Sequence, residues 1–344
     1  MTRGGCPEGR LPAAFPRGQR GYVLITTLAA MVLLILVAAR LDALVERYRG
    51  ETRDWGLWAQ AQAQLAAARD EALFAMATRQ LSPWGFGAGP GAIRADGRVY
   101  RAQSGALVSV QDERGLICLN LPNMNMLRNA LLARGVPDRE VEPLLDTLAD
   151  YTDTDSMHRL NGAEAEEYAA AGLPPPRNDW LLSPHEIRQV LRWRDYPKVW
   201  SRAGDVFSAA RGEPFNANHA PREVLEALPG ATAEGVAALL ARRELQPFGT
   251  VGELRAVTGI SLNDEDVLLH PGVLYRLRVW LEVGLPGIEY HIILTPGGQR
   301  APWVILETRQ IAQPTRDNAN PAIPPLPSLS VDAPDTGALS SPSA

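Results

Sequence analysis

YVLITTLAAMVLLILVAA, residues 22–39, is a run of eighteen residues without a single charge. A helix rises about 1.5 Å per residue, so this run reaches roughly 27 Å, enough to cross the hydrocarbon core of a membrane. Residues 1–21, which precede it, carry four arginines against Glu8 alone. Because positive charge beside an apolar segment favours the cytoplasmic side, the sequence predicts a single pass with a cytoplasmic N-terminus.

Three interpretations of this N-terminus remain open. A secretory signal would be cleaved after small residues such as Ala38 and Ala39. A plain transmembrane anchor would not be cleaved. A prepilin-type leader would be cleaved before the apolar run, and the junction between Gly21 and Tyr22 resembles such a site. In that case Gly21 ends the leader and Tyr22 becomes the new N-terminus, so these two residues form the predicted processing site.

The helix is predicted to continue well beyond the apolar run. Residues 41–78 are rich in Ala, Leu, Gln and Glu and contain no proline, which favours helix. Several large side chains fall near one face of it: Leu44, Tyr48, Trp55, Trp58, Gln62, Leu65, Leu73 and Met76. We therefore predict one helix over 22–80, with its first half, 22–39, in lipid and its second half packed on a soluble domain.

The rest of the chain predicts an α+β fold in which helices interrupt a small antiparallel sheet. Strand patterns occupy 99–102, 106–112 and 115–119, and they return over 273–283, 290–295 and 303–310. The tail is proline-rich and lacks aromatic residues, so it is predicted to be disordered. The predicted organisation is a leader at 1–21, the long helix at 22–80, the first part of the sheet at 81–119, an inserted helical domain at 120–265, the remaining strands at 266–312 and the tail at 313–344.

The composition excludes several classes of protein. The chain has 344 residues, of which 46% are apolar and 21% charged, an ordinary globular balance. A net charge of −5 argues against capture of nucleic acid by overall charge. Two cysteines and five scattered histidines leave little material for a disulfide framework or a zinc site. Motifs typical of nucleotide binding and hydrolysis are missing, so the sequence predicts no enzyme.

A weak internal repeat lies in the inserted helical segment. Residues 186–190, EIRQV, match residues 253–257, ELRAV. Each follows the pattern of a capping box, in which a hydroxyl and a glutamate three residues later satisfy the first amides of a helix; the hydroxyls are those of Ser183 and Thr250. We therefore predict two related helical modules.

The second module, which begins at Phe215, resembles helix-hairpin-helix DNA-binding units. Those units use two glycines in the hairpin, whereas this chain has only Gly230 there. Residues 216–262 also carry four arginines against five glutamates. Because phosphate binding depends on basic residues, a membrane-anchored DNA-binding or DNA-uptake protein is only the alternative function.

The segment from 150 to 168, DYTDTDSMHRLNGAEAEEY, contains a cluster of acidic residues. Calcium takes six to eight oxygen ligands, often from a flexible loop. The segment is not an EF-hand, because the glycine at the required offset and the final glutamate are missing. A calcium site and a solvated acidic loop both remain open, and the candidate metal ligands are Asp153, Asp155, Glu164, Glu166 and Glu167.

As a whole, the chain resembles the K-type minor pseudopilins of type II secretion, over roughly residues 18–312. The resemblance rests on motifs that are weak singly but specific in this order: Arg20-Gly21, Leu119-Asn-Leu121, DYTDTD at 150–155, Gly162-Ala-Glu164 with Tyr168, SPHEI at 183–187, and FNAN at 215–218 followed by Ala220-Pro221 and Val224-Leu225. Tyr151 stands where the family commonly has tryptophan, and Cys118 stands where asparagine is common.

The resemblance implies a pilin-like fold, with a long N-terminal helix packed on a small antiparallel sheet and a large inserted helical domain. It implies processing by prepilin peptidase, a single-pass anchor in the inner membrane and a periplasmic bulk. It places such a subunit at the tip of the pseudopilus, with the I- and J-type minor pseudopilins and the major pseudopilin, where it helps to start assembly and to export folded proteins. It also implies Ca²⁺ in the helical domain, with Asp153, Asp155 and Glu164 at the matching positions.

The fifth position of the predicted mature chain is Thr26. Most pilins carry a glutamate there, inside the apolar segment, where it can neutralise the free amine of the preceding subunit. An unpaired carboxylate at membrane depth costs roughly 2.5–3.5 kcal/mol. Since a subunit with no neighbour ahead of it gains nothing from that carboxylate, Thr26 leads to the hypothesis that this subunit starts or caps the filament.

Overall fold

The computed structural model describes residues 20–260, 262–282, 285–298, 301–312 and 323–327. The predicted leader lies outside these residues except for positions 20 and 21, and the predicted tail lies outside them except for 323–327. The described residues divide between two compact units, one ending at Gln60 and the other beginning at Ala61.

Helices and strands alternate unevenly along the described residues. The α-helices are α1 Arg20–Thr78, α2 Met124–Ala133, α3 Asp138–Thr152, α4 Ala165–Ala170, α5 Pro197–Trp200, α6 Ala203–Val206, α7 Arg222–Glu226, α8 Ala233–Leu245 and α9 Val251–Thr258. The strands are β1 Leu81–Ser82, β2 Gly85–Phe86, β3 Ile93–Arg94, β4 Asp96–Arg101, β5 Leu107–Asp112, β6 Ile117–Cys118, β7 Phe207–Ser208, β8 Leu274–Trp280, β9 Gly287–Leu294 and β10 Trp303–Ile311.

The first unit contributes the part of α1 that ends at Gln60. Every side chain from Tyr22 to Gln60 is exposed. The helix is long and apolar enough to cross a membrane, with a mean hydropathy of 2.6 over its most apolar window. Leu44, Tyr48, Trp55 and Trp58, which the sequence places near one face of the helix, are all exposed.

In the second unit, the last turns of α1 pack on a sheet. Leu65, Ala68, Leu73 and Met76 are buried, at the spacing that places them on one side of a helix. They share a core with the apolar face of a five-stranded antiparallel sheet whose strand order is β10-β9-β8-β5-β4. The predicted hairpin at 99–112 forms the β4–β5 pair of this sheet, with Val99 opposite Ser109.

The two faces of this sheet differ in chemistry because side chains alternate along each strand. Apolar side chains of one face, among them Val110, Leu277 and Ile292, join the core with α1. The alternate positions carry buried polar groups, which include Gln111, Arg276, Glu289 and His291. The sheet therefore has a charged face that is nevertheless shielded from water.

The helices between β5 and β8 form a separate apolar core of their own. The strand pattern at 115–119 predicted a continuation of the sheet, but the strand there is only Ile117–Cys118, and it pairs in parallel with Phe207 and Ser208. That expectation is corrected: the short β6–β7 pair does not belong to the five-stranded sheet. Cys118 is only partly buried, and its thiol donates to the carbonyl of Ala210.

The two matching sequences of the predicted repeat adopt different structures. Thr250 caps α9 by accepting from the amide of Glu253, as predicted. Ser183 caps nothing, and residues Pro184–Gln189 form a 3₁₀ turn. The carboxylate of Glu186 instead accepts hydrogen bonds from Tyr151, Arg177 and the amide of Leu182. Tertiary contacts thus override the local capping pattern in the first copy.

Candidate functional site

The predicted processing residues lie in the first turn of α1, which begins at Arg20. Tyr22 is exposed, and its carbonyl accepts a hydrogen bond from the Thr26 hydroxyl at 3.1 Å. The same hydroxyl also reaches the carbonyl of Val23 at 3.0 Å. The Thr26 side chain is therefore satisfied by its own helix, and unlike a carboxylate it needs no partner in an apolar environment.

The acidic loop lies between α3 and α4 and folds around Asp150. This side chain is fully buried in the last turn of α3, and its Oδ2 accepts from the amides of Arg159 (3.2 Å) and Ala163 (3.0 Å). Gly162 lies directly against the same carboxylate, so that a Cβ at this position would overlap Asp150 Oδ2. Asp150 therefore organises the loop that carries the predicted metal ligands.

Three carboxylates of this region have raised pKa values. Burial raises the pKa of Asp150. Burial also raises the pKa of Asp153, and the nearby charges of Asp155 and Asp150 raise it further. For Glu164 the causes are burial first, then repulsion from Asp150, Asp153 and Asp155. The side chains are thus close enough to repel one another, which is the condition that a bound cation would relieve.

Four oxygen atoms in or beside the loop are buried and accept no hydrogen bond. They are Asp150 Oδ1, Asp153 Oδ1, Glu164 Oε1 and Asn178 Oδ1. Such atoms are costly to bury unless something else satisfies them. Carboxylate and amide oxygens are the ligands that calcium prefers. Their chemistry therefore fits a hard divalent cation.

Two basic or amide groups complete the surroundings of these oxygens. The half-exposed guanidinium of Arg159 lies with Nε 3.3 Å from Asp150 Oδ1 and Nη2 4.0 Å from Asp153 Oδ2. Asn178 is tied to the loop because its Nδ2 donates to the carbonyl of Asp155 at 2.7 Å. In the described part of the chain, no three His, Cys, Asp or Glu side chains already stand as a metal-ligand group. To bind a cation, these oxygens would therefore have to move closer to one another.

The other predicted ligands are engaged differently. Asp155 Oδ1 accepts from the amide of Met157 at 2.7 Å. Glu167 Oε2 accepts from the amide of Glu164 at 2.9 Å, which forms the capping box of α4, and its Oε1 lies 3.3 Å from His158 Nε2. Glu166 is exposed. Glu167 thus caps α4. Of the predicted ligands, Asp153 and Glu164 are the two that carry buried oxygens without a hydrogen bond.

Asp150 and Asn178 are not among the ligands that the sequence predicts. Asp150 stands inside the DYTDTD motif, so its position offered a signal, but its burial could not be read from the motif. Asn178 lies 28 residues from Asp150 along the chain, and no local pattern marks it. Only the fold brings it to the loop, where its amide donates to the Tyr151 carbonyl at 3.1 Å.

The second helical module offers little to a nucleic acid. Arg243 is buried and donates to the carbonyls of the 217–220 segment. The three other arginines of residues 216–262 form ion pairs: Arg242 with Glu253, Arg222 with Glu226, and Arg255 with Asp264. Because these four arginines are buried or lie beside carboxylates, the described residues of the module present little unpaired positive charge to a phosphate backbone.

Comparison with known proteins identifies the family of this region. Residues 107–196 match the family model for protein K of the type II secretion system. This part of the chain is therefore similar to protein K of the type II secretion system. The match runs from β5 to the turn after Trp193 and contains the whole acidic loop, and it confirms the resemblance found in the sequence.

A solved structure resembles this chain in fold. It is a chain in the crystal structure of the GspK–GspI–GspJ complex from the type 2 secretion system of enterotoxigenic Escherichia coli, with 18% sequence identity and a TM-score of 0.50. The alignment covers 77% of this chain and 98% of that chain. At this identity the likeness concerns the fold alone. A search of curated protein sequences gives no match to this chain.

Proposed function

We propose that this chain is a non-enzymatic minor pseudopilin at the tip of the type II secretion pseudopilus. In this role it is anchored by α1 in the inner membrane, with its N-terminus in the cytoplasm and its bulk in the periplasm. It helps to start pseudopilus assembly and so to export folded proteins across the outer membrane. The observation that carries the proposal is the presence, in one chain, of a region similar to protein K and an exposed helix whose uncharged run is long enough to span a membrane.

The solved complex supports the choice of partners. In that complex GspK is bound together with GspI and GspJ. By analogy, we propose that this chain assembles with I- and J-type minor pseudopilins and with the major pseudopilin, after processing by prepilin peptidase. In this proposal the protein has a pilin-like sheet with the end of α1 on one face, and two related helical modules are inserted between β5 and β8.

Intact mass of the protein purified from membranes tests the processing step. We expect a chain that lacks residues 1–21 and begins at Tyr22, with or without an added methyl group. A chain beginning near Arg40 would instead show ordinary signal-peptidase release. An unprocessed chain would show a plain anchor, and either result would contradict the proposed pseudopilin role.

Calcium is part of the proposal as a structural ion of the loop. Asp150, Asp153, Glu164 and Asn178 would hold it through the oxygens that otherwise lack partners. A bound calcium ion supplies positive charge that offsets the repulsion among the buried carboxylates. These residues would then fasten the loop between α3 and α4 to the Asn178 segment, and no reaction is involved.

Calcium should therefore stabilise the protein against denaturant. At a free Ca²⁺ concentration 100-fold above the dissociation constant, linkage predicts a gain of about 2.7 kcal/mol in the free energy of unfolding. Asp153→Asn should reduce the gain, since it removes one charge at an orphaned oxygen. The measurement is guanidinium unfolding of the full chain in detergent, with Ca²⁺, with Mg²⁺ and with EDTA.

Glu166→Gln is the matched control, because Glu166 is exposed and lies in the same segment. We expect this variant to respond to Ca²⁺ as the unchanged protein does. A response lost in Glu166→Gln but kept in Asp153→Asn would place the ion elsewhere in the loop. No response in the unchanged protein would leave the loop a solvated acidic segment.

Thr26→Glu tests the position of the subunit in the filament. An unpaired glutamate at membrane depth costs roughly 2.5–3.5 kcal/mol, or about a hundredfold in an equilibrium. We expect lower tip occupancy and lower secretion, measured by imaging labelled tips and by assaying exported protein. Thr26→Gln, which adds the same bulk without the charge, should lie close to the unchanged protein. Equal tip occupancy in Thr26→Glu would remove this argument for the tip.

A further inference from the structure

The outer strand β4 is covered by a segment of the chain's own C-terminal region. Sequence analysis predicted disorder for the whole of 313–344, and this is wrong for residues 323–327. The amide of Arg101 in β4 donates to the carbonyl of Pro324 at 2.9 Å, and the amide of Leu326 donates to the carbonyl of Arg101 at 2.8 Å. Arg101 and Pro325 thus form a parallel bridge.

Two side-chain contacts hold the same segment. Leu326 is only 5% exposed and belongs to the core that α1 and the sheet share. Just after α1, the Arg79 guanidinium donates from Nη2 to the carbonyl of Pro327 at 2.6 Å and from Nη1 to the carbonyl of Gly91 at 2.9 Å. The segment therefore has a backbone register, an apolar anchor and a polar clamp.

The prolines determine which backbone hydrogen-bonding groups the docked segment exposes on its outer side. In an extended segment, successive residues direct their backbone groups to opposite sides. Pro324 and Leu326 use their backbone groups toward β4, so the backbone of Pro325 faces away from it. Proline has no N–H, and the new outer edge therefore lacks a donor at Pro325. Strand edges are templates for pairing with another chain, and prolines are one known means of blocking them.

We propose that the edge of β4, together with Arg79 and the apolar site of Leu326, is a binding surface for the proline-rich segment 323–327. Occupied in this way, the β4 edge is closed to pairing with a second copy of this chain. The proposal rests on contacts within the second unit and stands whether or not the chain acts at a pseudopilus tip.

Hydrogen exchange in the full chain tests the docking. In Leu326→Asp, a charge replaces the apolar anchor, and we expect the Arg101 amide to exchange at least tenfold faster. The Ala102 amide donates to Ala106 within the β4–β5 hairpin and should keep its rate. Leu245→Asp is the matched control, because Leu245 is 81% exposed. Equal Arg101 exchange in all three proteins would overturn the docking.

A peptide of residues 320–330 separates loss of docking from loss of folding. Added to Leu326→Asp, it should slow the Arg101 amide again, whereas the same peptide with aspartate at 326 should not. No rescue by the unchanged peptide would overturn the binding surface.

Self-association tests the closed edge. Sedimentation of Leu326→Asp in detergent should show a dimer that the unchanged protein and Leu245→Asp lack at the same concentration. The peptide of residues 320–330 should dissociate this dimer. A variant that stays monomeric despite fast Arg101 exchange would overturn the claim that the segment blocks pairing.

Discussion

Replacing Glu289 by glutamine is expected to lower the free energy of unfolding by about 3–5 kcal/mol, the usual cost of breaking a buried ion pair from one side. Glu289 is fully buried on the charged face of the sheet. Its carboxylate pairs with Arg278 at 2.6 Å and with Arg309 at 3.0 Å. It also lies 3.3 Å from His291. The neutral amide would remove the buried anion that these groups share, of which Arg278 and Arg309 are partly buried and His291 is buried.

The same cluster should make stability depend on pH. Burial alone would raise the pKa of Glu113, but Arg276 and His291 outweigh it and lower this pKa from 4.5 to about 2. The pKa of Glu289 also lies well below its usual range, since His291, Arg276 and Arg278 outweigh burial. Depressed carboxylate pKa values stabilise the fold above about pH 4.5. This contribution is lost as the pH falls toward 2.

His291 makes the stability depend on pH in the opposite direction. Burial lowers its pKa, but Glu113 and Glu289 outweigh burial and raise it above 6.5. The stabilisation from charged His291 is therefore full below about pH 6.5 and is lost as the pH rises through the raised pKa. We expect Glu289→Gln to weaken both the acidic and the alkaline dependence.

Unfolding of the full chain in detergent by guanidinium, repeated from pH 3 to pH 9, measures these effects. Glu226→Gln is the matched control, because Glu226 forms a half-exposed pair with Arg222 at 3.7 Å. An exposed pair of this kind contributes at most about 1 kcal/mol. If Glu289→Gln lost no more stability than Glu226→Gln, the buried network would not hold the sheet as we argue.

Placing two arginines in the middle of the apolar run is expected to abolish membrane anchoring. Each arginine at the centre of a membrane helix costs about 2.5–3.5 kcal/mol on insertion scales. Met31→Arg combined with Val32→Arg should therefore cost about 5–7 kcal/mol. Both residues are exposed on α1, so no core within the first unit is disturbed. Fractionation of cells followed by alkaline extraction of the membranes measures the result.

Met31→Leu combined with Val32→Ile is the control, since it keeps the segment apolar. This variant should stay in the extracted membranes, whereas the arginine variant should not. Retention of both variants in the membrane fraction would show that another part of the chain provides the anchor, and the proposed role of α1 would then fail.

Local pattern predicted the features that depend on neighbouring residues. The uncharged run and the absence of proline predicted α1, because helix formation and membrane crossing depend on composition over a short stretch. The strand patterns at 106–112 and 303–310 predicted β5 and β10 within a residue or two. The acidic motif at 150–155 predicted where carboxylates gather. The family resemblance rested on the same short motifs.

Features formed by distant residues lay beyond these patterns. Ser183 has the same capping pattern as Thr250, yet Tyr151 and Arg177 take its glutamate partner, Glu186, and the α-helix does not form. The tail composition is typical of disorder, yet Leu326 finds an apolar site and β4 offers an unpaired edge. In both cases a contact from elsewhere in the chain outweighs the local preference.

The sequence alone thus determined a long helix with an apolar first half, an α+β domain and an acidic loop. Each of these depends on the composition or the hydrophobic periodicity of a continuous stretch of residues. Only the tertiary structure decided that Asp150 and Asn178 bring buried oxygens without hydrogen bonds to that loop, that Glu289 pairs with several cations at once, and that residues 323–327 cover β4. The reason is that burial and electrostatic pairing depend on groups tens to hundreds of residues apart, whose meeting the fold alone specifies.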